Sequence, residues 1–293
     1  MKKITVITTT YNRALLLPNV FNSLQMQTSK EFEWLVVDDG SNDDTENIVA
    51  DMKKKATFEI RYLKKENGGK HKALNLGISK IITPLTIILD SDDSLLPNAI
   101  ELIIKYALKY KCNKNIGVFS FLKCYTNGEI VVPMENDEII SDYTQYRIKE
   151  NRPGDMAEVF YTNVLKEVPF PEFKGERFLS EDVVWIEIAK KYKCVFVNIP
   201  IYQCEYLEDG LTFNDKAMKF DSPLGSMMRG KALMNKECGL KTQIKGAIIY
   251  NCYKNVLKEP VPKELLLDTY FEKTLVFLTL LLGVFYCKKW NPA

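Results

Sequence analysis

The strongest constraint on the fold is an alternation that runs from the amino terminus to about residue 121. Strand-like runs at 4–9, 34–38, 58–63, 85–89 and 117–121 are separated by amphipathic stretches at 14–26, 45–54, 72–80 and 98–109. Apolar residues recur in the amphipathic stretches at three- and four-residue spacing, which predicts helices. Strands alternating with helices predict βαβ units, and therefore an α/β fold with a mainly parallel sheet flanked by helices. Right-handed crossovers bring the carboxyl ends of such strands to one edge, where ligands bind. After residue 121 the pattern loosens, with short β-like pieces at 130–132, 158–161 and 195–206 and a helix at 182–192. We expect one folded unit over 1–210, with 1–121 binding the small ligand and 122–210 forming an acceptor-side subdomain. A helical region over 211–293 follows.

Bulk properties remove several classes of function. Lys and Arg number 40 against 38 Asp and Glu in 293 residues, so no electrostatic footprint for nucleic acid is present. The seven cysteines are scattered and form no C-x-x-C pair, which fits a reducing compartment and small core hydrophobes better than a disulfide framework or a zinc site. The chain opens directly on a strand at 3–8, so the expected location is cytoplasmic. Within 274–287 the sequence is almost uninterrupted in its apolar character, flanked by Lys273 and by Lys288, Lys289 and Trp290. It is shorter than the ~20 residues a membrane span needs. A helix lying in the membrane interface and a buried terminal helix are the two readings of that stretch.

The run 85–89 delivers Asp90, Ser91, Asp92 and Asp93 at a strand end. Clustered carboxylate oxygens favour a hard cation such as Mg²⁺ or Mn²⁺, commonly shared with substrate phosphates. The plainer alternative is that Asp93 or Ser94 caps the next helix. Two further strand ends should lie beside it. One carries Thr9, Thr10 and Tyr11, whose ring can stack on a base. The other carries Asp39, whose carboxylate can accept from an imide N–H such as uracil offers. A polar turn leading to a helix cap would account for 38–45 without any ligand. The stretch Asn67, Gly68, Gly69 and Lys70 sets glycines and cations at a helix start, a place suited to phosphate or ribose oxygens. His71 is the single histidine in the chain, and beside two lysines it reads as a solvated surface residue.

Taken in order, Thr-Thr-Tyr-Asn-Arg at 9–13, Val-Val-Asp-Asp-Gly-Ser at 36–41, Asn67-Gly68-Gly69-Lys70 with Ala73-Leu74-Asn75, Leu89-Asp90-Ser91-Asp92-Asp93 and Ser180-Glu181-Asp182 resemble the family 2 glycosyltransferases over roughly residues 3–210. The resemblance implies a GT-A, Rossmann-like fold, an inverting displacement at an anomeric carbon, a nucleotide-diphospho-sugar donor, most simply a UDP-sugar, and a divalent metal, Mn²⁺ or Mg²⁺. It puts Tyr11 and Asp39 on the nucleobase, with Thr9 and Thr10 beside them. Asn67, Gly69 and Lys70 fall near the uridine or diphosphate. Asp90 and Asp92 match the D-x-D positions around Ser91, with Asp92 contacting the metal and Asp90 the metal, ribose or sugar. Asp182 is the candidate base, with Glu181 as its rival. Both acids would also suit a helix N-terminus without any catalytic role. The sequence departs from the family at Thr9, where proline is frequent, and at Leu74, where an arginine is common, so Lys70 or Lys72 would supply the missing cation. A loop at 206–212 resembles one that closes over the diphosphate.

The acceptor expected from this reading is a glycan or lipid-linked oligosaccharide of cell-surface polysaccharide synthesis, met at the cytoplasmic face of the membrane, with peripheral contact through the tail. A sugar-phosphate nucleotidyltransferase and a non-catalytic nucleotide-sugar or glycan-binding module are the competing readings. The first lacks its Gly-rich basic loop after strand one, and the second leaves Asp90, Asp92 and Asp182 without a purpose.

Overall fold

The computed structural model describes residues 2–204 and 215–290, and the chain divides into two compact units. The first unit comprises Met1–Asp142, Arg152–Pro169 and Lys191–Glu205. Its elements are β1 (Ile4–Thr10), α1 (Leu17–Gln25), β2 (Phe32–Asp38), α2 (Thr45–Lys55), β3 (Glu59–Lys64), α3 (Lys70–Ser79), β4 (Leu85–Ile88), β5 (Ser94–Leu95), α4 (Ala99–Tyr110), β6 (Ile116–Tyr125), β7 (Glu138–Ser141), β8 (Met156–Tyr161), α5 (Thr162–Glu167) and, after an excursion into the second unit, β9 (Lys193–Cys204).

The strands form one sheet in the order β3-β2-β1-β4-β8-β6-β9-β5, with β7 also on β9. From β3 to β4 all pairing is parallel, in the βαβ pattern that the alternation predicts. Strand β8 then inserts antiparallel between β4 and β6, while β6 and β9 run parallel. The 158–161 and 195–206 pieces therefore belong to the same sheet as the first strands. The stretch at 130–132 makes only an isolated bridge, Ile130 to Cys124. Strands β1 and β2 are buried along nearly their whole length, on both faces of the sheet, as their mostly apolar and β-branched residues require. Trp34 lies fully buried in this core, its indole N–H donating to Thr8 Oγ1 at 3.0 Å.

Helix α3 seats closely on β1 and β2 because Gly77 leaves room: a Cβ there would fall 2.4 Å from Ile7 Cδ1 and 2.8 Å from Val37 Cγ2. The same inward stripe takes up His71, Leu74 and Ile78, all buried. The expectation of a surface histidine is thus wrong. The helical register turns position 71 toward the sheet, and the lysines on either side of it point elsewhere. Cys124, Cys194, Cys204, Cys238 and Cys252 are buried, as small core residues should be, but Cys112 is exposed and Cys287 half-buried.

The second unit contains Tyr143–Asn151, Phe170–Lys190 and Tyr206–Ala293. It holds a π-helical turn (Thr144–Lys149) and helices α6 (Asp182–Ala189), α7 (Asp215–Asp221), α8 (Pro223–Leu233), α9 (Leu240–Lys254), α10 (Tyr270–Leu278) and α11 (Leu280–Trp290). Helices α8 and α9 cross at two glycines. A Cβ on Gly230 would lie 2.7 Å from Tyr250 N, and one on Gly246 would lie 2.6 Å from Gly230 O. Helix α6 shares a core with these helices through Ile186. A single unit ending at residue 210 does not match this division, because Glu181 and Asp182 group with the C-terminal helices.

Candidate functional site

The carboxyl ends of β1, β2 and β3 come level through the pairing of Thr10 with Asp38 and of Asp38 with Lys64, and β4 ends beside β1. The loops leaving these ends bind one another. Asn12, with φ 52°, accepts from Asn42 N at 2.8 Å through Oδ1 and donates its own N–H to Ser41 Oγ at 2.8 Å. Tyr11, beside it, is exposed, while Thr10 is buried with its hydroxyl unpaired and Thr9 is half-buried.

Asp39 organises the glycine loop. Its buried carboxylate accepts from Gly69 N at 2.6 Å, Gly68 N at 3.0 Å, Asn67 Nδ2 at 3.1 Å and Lys65 Nζ at 2.8 Å. Gly40 permits the approach: its φ is +87°, and a Cβ there would sit 2.7 Å from Asn67 N. Gly69, at φ +99°, then turns the chain into α3 and sets Lys70 in the first turn. A carboxylate has about four acceptor positions. Those of Asp39 are thus engaged by the loop itself, and an incoming imide N–H would have to exchange with Lys65 or Asn67.

The acidic turn after β4 is held by cations and by β9. Lys70 Nζ lies 2.5 Å from Asp90 Oδ1, and Arg13 Nη1 lies 2.6 Å from Asp92 Oδ2. Tyr202, on β9, accepts from Asp90 N at 3.0 Å and donates its hydroxyl to Asp93 Oδ2 at 2.8 Å. Strand β5 continues the clamp, pairing Ser94 with Gln203 and Leu95 with Tyr202. Beside Tyr202, in register on β6, stands Lys123, its Nζ 4.1 Å from the ring centroid.

Charge in this cluster is unevenly shared. Burial pushes Asp90 up, but Lys70 and Lys123 outweigh it and hold the carboxyl below its ordinary range. Asp93 moves the other way, pushed up to about 7 by burial and by the neighbouring Asp90. Lys123 is raised despite its burial, because Asp90, Asp155, Asp93 and Glu158 surround it. The arrangement is a ring of carboxylates interleaved with cations at a sheet edge, suited to receiving an anion that carries its own cation.

Reading the sequence brought Asp39, Asn67, Gly69, Lys70, Asp90, Ser91 and Asp92 to one strand edge. It missed Arg13 as a partner, and it missed Lys123 and Tyr202 entirely. Arg13 sits inside the Thr-Thr-Tyr-Asn-Arg run, so its position was a usable signal. Ser91 is buried within the turn.

Asp182 and Glu181 lie in the second unit. Asp182 opens α6, and both its oxygens accept from Arg229 Nε, at 2.8 and 3.1 Å. Glu181 caps the same helix, its carbonyl accepting from Val184 N at 2.9 Å. Trp185, one turn further on, is a core residue, buried and packed edge-on to Phe170. The loop at 206–212 lies outside the described residues.

A sequence model of glycosyl transferase family 2 matches residues 5–152. An uncharacterised glycosyltransferase of Rickettsia conorii is 33% identical over 193 residues, which is 64% of this chain but only 30% of that protein. The GalNAc(5)-diNAcBac-PP-undecaprenol beta-1,3-glucosyltransferase of Campylobacter jejuni is 27% identical over 249 residues, covering 80% of this chain and 75% of its own. Among solved structures, S. aureus TarS 1-349 in complex with UDP superposes with a TM-score of 0.63 at 17% identity, covering 98% of this chain and 92% of that one. A mannosyltransferase from Pyrobaculum calidifontis in complex with GDP-Man and Mn²⁺ gives 0.59 at 16% identity, covering 98% and 87%. The two structures establish the shared GT-A fold, a mixed α/β sheet flanked by helices.

Proposed function

The chain belongs to glycosyl transferase family 2, and from that premise we propose that it moves a sugar from a UDP-sugar, with inversion, onto a glycan or lipid-linked acceptor of the cell envelope. The observation that carries the reading is the clustering of Asp39, Asn67, Gly69, Lys70, Arg13, Asp90 and Asp92 at one strand edge. The UDP complex of TarS supports the donor class, and the PP-undecaprenol-linked saccharide in the name of the C. jejuni enzyme supports a lipid-linked acceptor.

In this reading Tyr11 stacks on the base. Asp39 keeps the Asn67–Gly69 turn in shape and exchanges a side-chain donor for the imide. Lys70 and Arg13 leave their carboxylates to meet the diphosphate, which stabilises the departing group. Asp90 and Asp92 supply oxygen-only donors and fit Mg²⁺ or Mn²⁺. Among the described residues no third metal-ligating side chain joins them, so the remaining donors would be the nucleotide's own oxygens and water. A bound divalent ion would neutralise charge developing on the diphosphate. Asp182, held by Arg229, takes the proton of the acceptor hydroxyl as the new C–O bond forms. Glu181 remains the alternative base. The site of action is the cytoplasmic face of the membrane.

A transfer assay with labelled UDP-sugars and glycan or lipid-linked acceptors tests the proposal. Product formed with UDP donors and lost in Asp182→Asn supports it. Nucleotide binding without transfer to any acceptor, in protein proven folded, favours a binding module instead.

A further inference from the structure

We infer that the outer face of α10 and α11 is a docking surface for an anionic lipid bilayer, on which the chain lies without crossing it. Tyr270 is 90% exposed, Phe277 77%, Leu281 82% and Phe285 59%, and Leu278, Leu280 and Leu282 are exposed beside them. Tyr270 and Phe277 lie two turns apart on α10, and Leu281 and Phe285 lie one turn apart on α11, so each helix carries an exposed apolar face. Apolar patches of this kind on an otherwise ordinary surface mark an interaction site.

The opposite sides of the helices show why these faces stay outward. Leu275, Val276, Thr279 and Gly283 are buried, and Asn251 of α9 pins the break between the helices, its Nδ2 donating to Val276 O at 2.7 Å and Thr279 Oγ1 at 3.1 Å. A Cβ on Gly283 would fall 2.3 Å from Asn251 Cβ, so α11 rests directly on α9. The helices bend by 60° at this point, and no single helix among the described residues is long and apolar enough to span a membrane. Crossing as a pair would require peeling both helices from α9 and stranding the buried Asn251 amide. Lying in the interface keeps that contact.

Charge identifies the partner. The one acid on these two helices, Glu272, has its carboxylate taken up by the Asp268 and Thr269 backbone N–H groups, and the exposed charges beyond it are Lys273 at one end and Lys288 with Lys289 at the other. Lysines bordering an apolar helix face, with Trp290 and Tyr270 at its limits, match the headgroup and acyl zones of an anionic leaflet. A second copy meeting this face in antiparallel fashion would set lysine against lysine. The inference is independent of the donor chemistry, so a failure of the transferase reading leaves it standing, and the reverse.

The test is sedimentation of the full chain with vesicles of phosphatidylcholine and phosphatidylglycerol at 4:1, and of phosphatidylcholine alone. We expect binding to the mixed vesicles that weakens with salt. A Phe277→Glu, Leu281→Glu, Phe285→Glu variant should bind at least tenfold more weakly at unchanged melting temperature. Lys273→Gln with Lys288→Gln and Lys289→Gln should lose the preference for the anionic vesicles. Wild-type protein with brominated lipid needs no mutation: Trp34 and Trp185 are buried, so quenching reports Trp290. Absence of vesicle binding overturns the inference, as does binding that the glutamates leave untouched. A dimer that the glutamates abolish and that vesicles do not dissolve would assign the face to a second copy.

Discussion

Replacing Tyr202 by phenylalanine removes one oxygen and keeps the ring on which Lys123 rests, so its effect isolates the clamp on the acidic turn. The hydroxyl accepts from Asp90 N at 3.0 Å and donates to Asp93 at 2.8 Å. A buried N–H left without an acceptor costs about 1–3 kcal/mol, and the partial exposure of Asp90 puts the expected value near the lower half of that range. At about 1.4 kcal/mol per factor of ten, exchange of the Asp90 amide should accelerate roughly tenfold. Affinity for UDP in the presence of Mn²⁺ should fall by a similar factor, because the turn that presents Asp90 and Asp92 loses its side-chain anchor to β9 and keeps only the β5 pairing beyond it. The carboxyl of Asp93, already raised to about 7, should rise further, since the tyrosine hydrogen bond is one of the few contacts favouring its charged form. Hydrogen exchange with mass detection reads the first effect and calorimetric titration the second. Unchanged exchange and unchanged affinity would refute the claim that β9 positions the turn.

Asp182→Asn should retain UDP binding and lose about 10²–10⁴-fold in transfer, the usual worth of a general base; an unchanged rate removes Asp182 from that role, and Glu181→Gln then tests its neighbour. Arg13→Gln frees Asp92 from its ion pair, so Mn²⁺ should bind several-fold more tightly to the nucleotide-free protein, read by titration calorimetry; weaker binding would mean that Arg13 shapes the carboxylate for the metal rather than competing with it. Gly230→Ala drives a Cβ to 2.7 Å from the backbone of Tyr250, and urea unfolding should show a loss of at least about 1–3 kcal/mol in the helical unit; an unaffected midpoint would show that α8 and α9 separate cheaply. Asn251→Ala removes both side-chain bonds to the α10–α11 break, and limited proteolysis within 255–290 should speed up while the first unit stays intact.

Much of the first unit was legible because its signals are local. An unbroken apolar run such as 34–37 has only one comfortable place, the middle of a sheet covered on both faces, and the carboxylates that follow 85–89 lie within four residues of sequence. The helix at 45–54 ends within one residue of the observed α2. What escaped is what depends on long-range pairing. Lys123 and Tyr202 meet because β6 and β9 align in register across about eighty residues of chain, and neither carries a motif. Strand β7 is four residues at the margin of the sheet, too short for a period to show. His71 was misplaced because its polar neighbours outvoted the helical register that buries it. Helix α6 follows the sheet residues in sequence without a linker, and its membership of the helical core rests on Ile186, a contact no local pattern announces. The stretch 274–287 read as one helix. Thr279, which bonds back to Leu275 O at 2.7 Å and receives Asn251, is where it breaks.

The central claim is that the carboxylate and cation cluster at the ends of β1, β2 and β4 is a metal-dependent nucleotide-sugar site. Calorimetric titration of the full chain with UDP, in Mn²⁺ and again in chelator, with GDP as the control, measures it directly. The account predicts binding of UDP that requires the metal, disappears in Asp92→Asn and is much weaker for GDP. Equal binding of both nucleotides regardless of metal, or of neither, would contradict it.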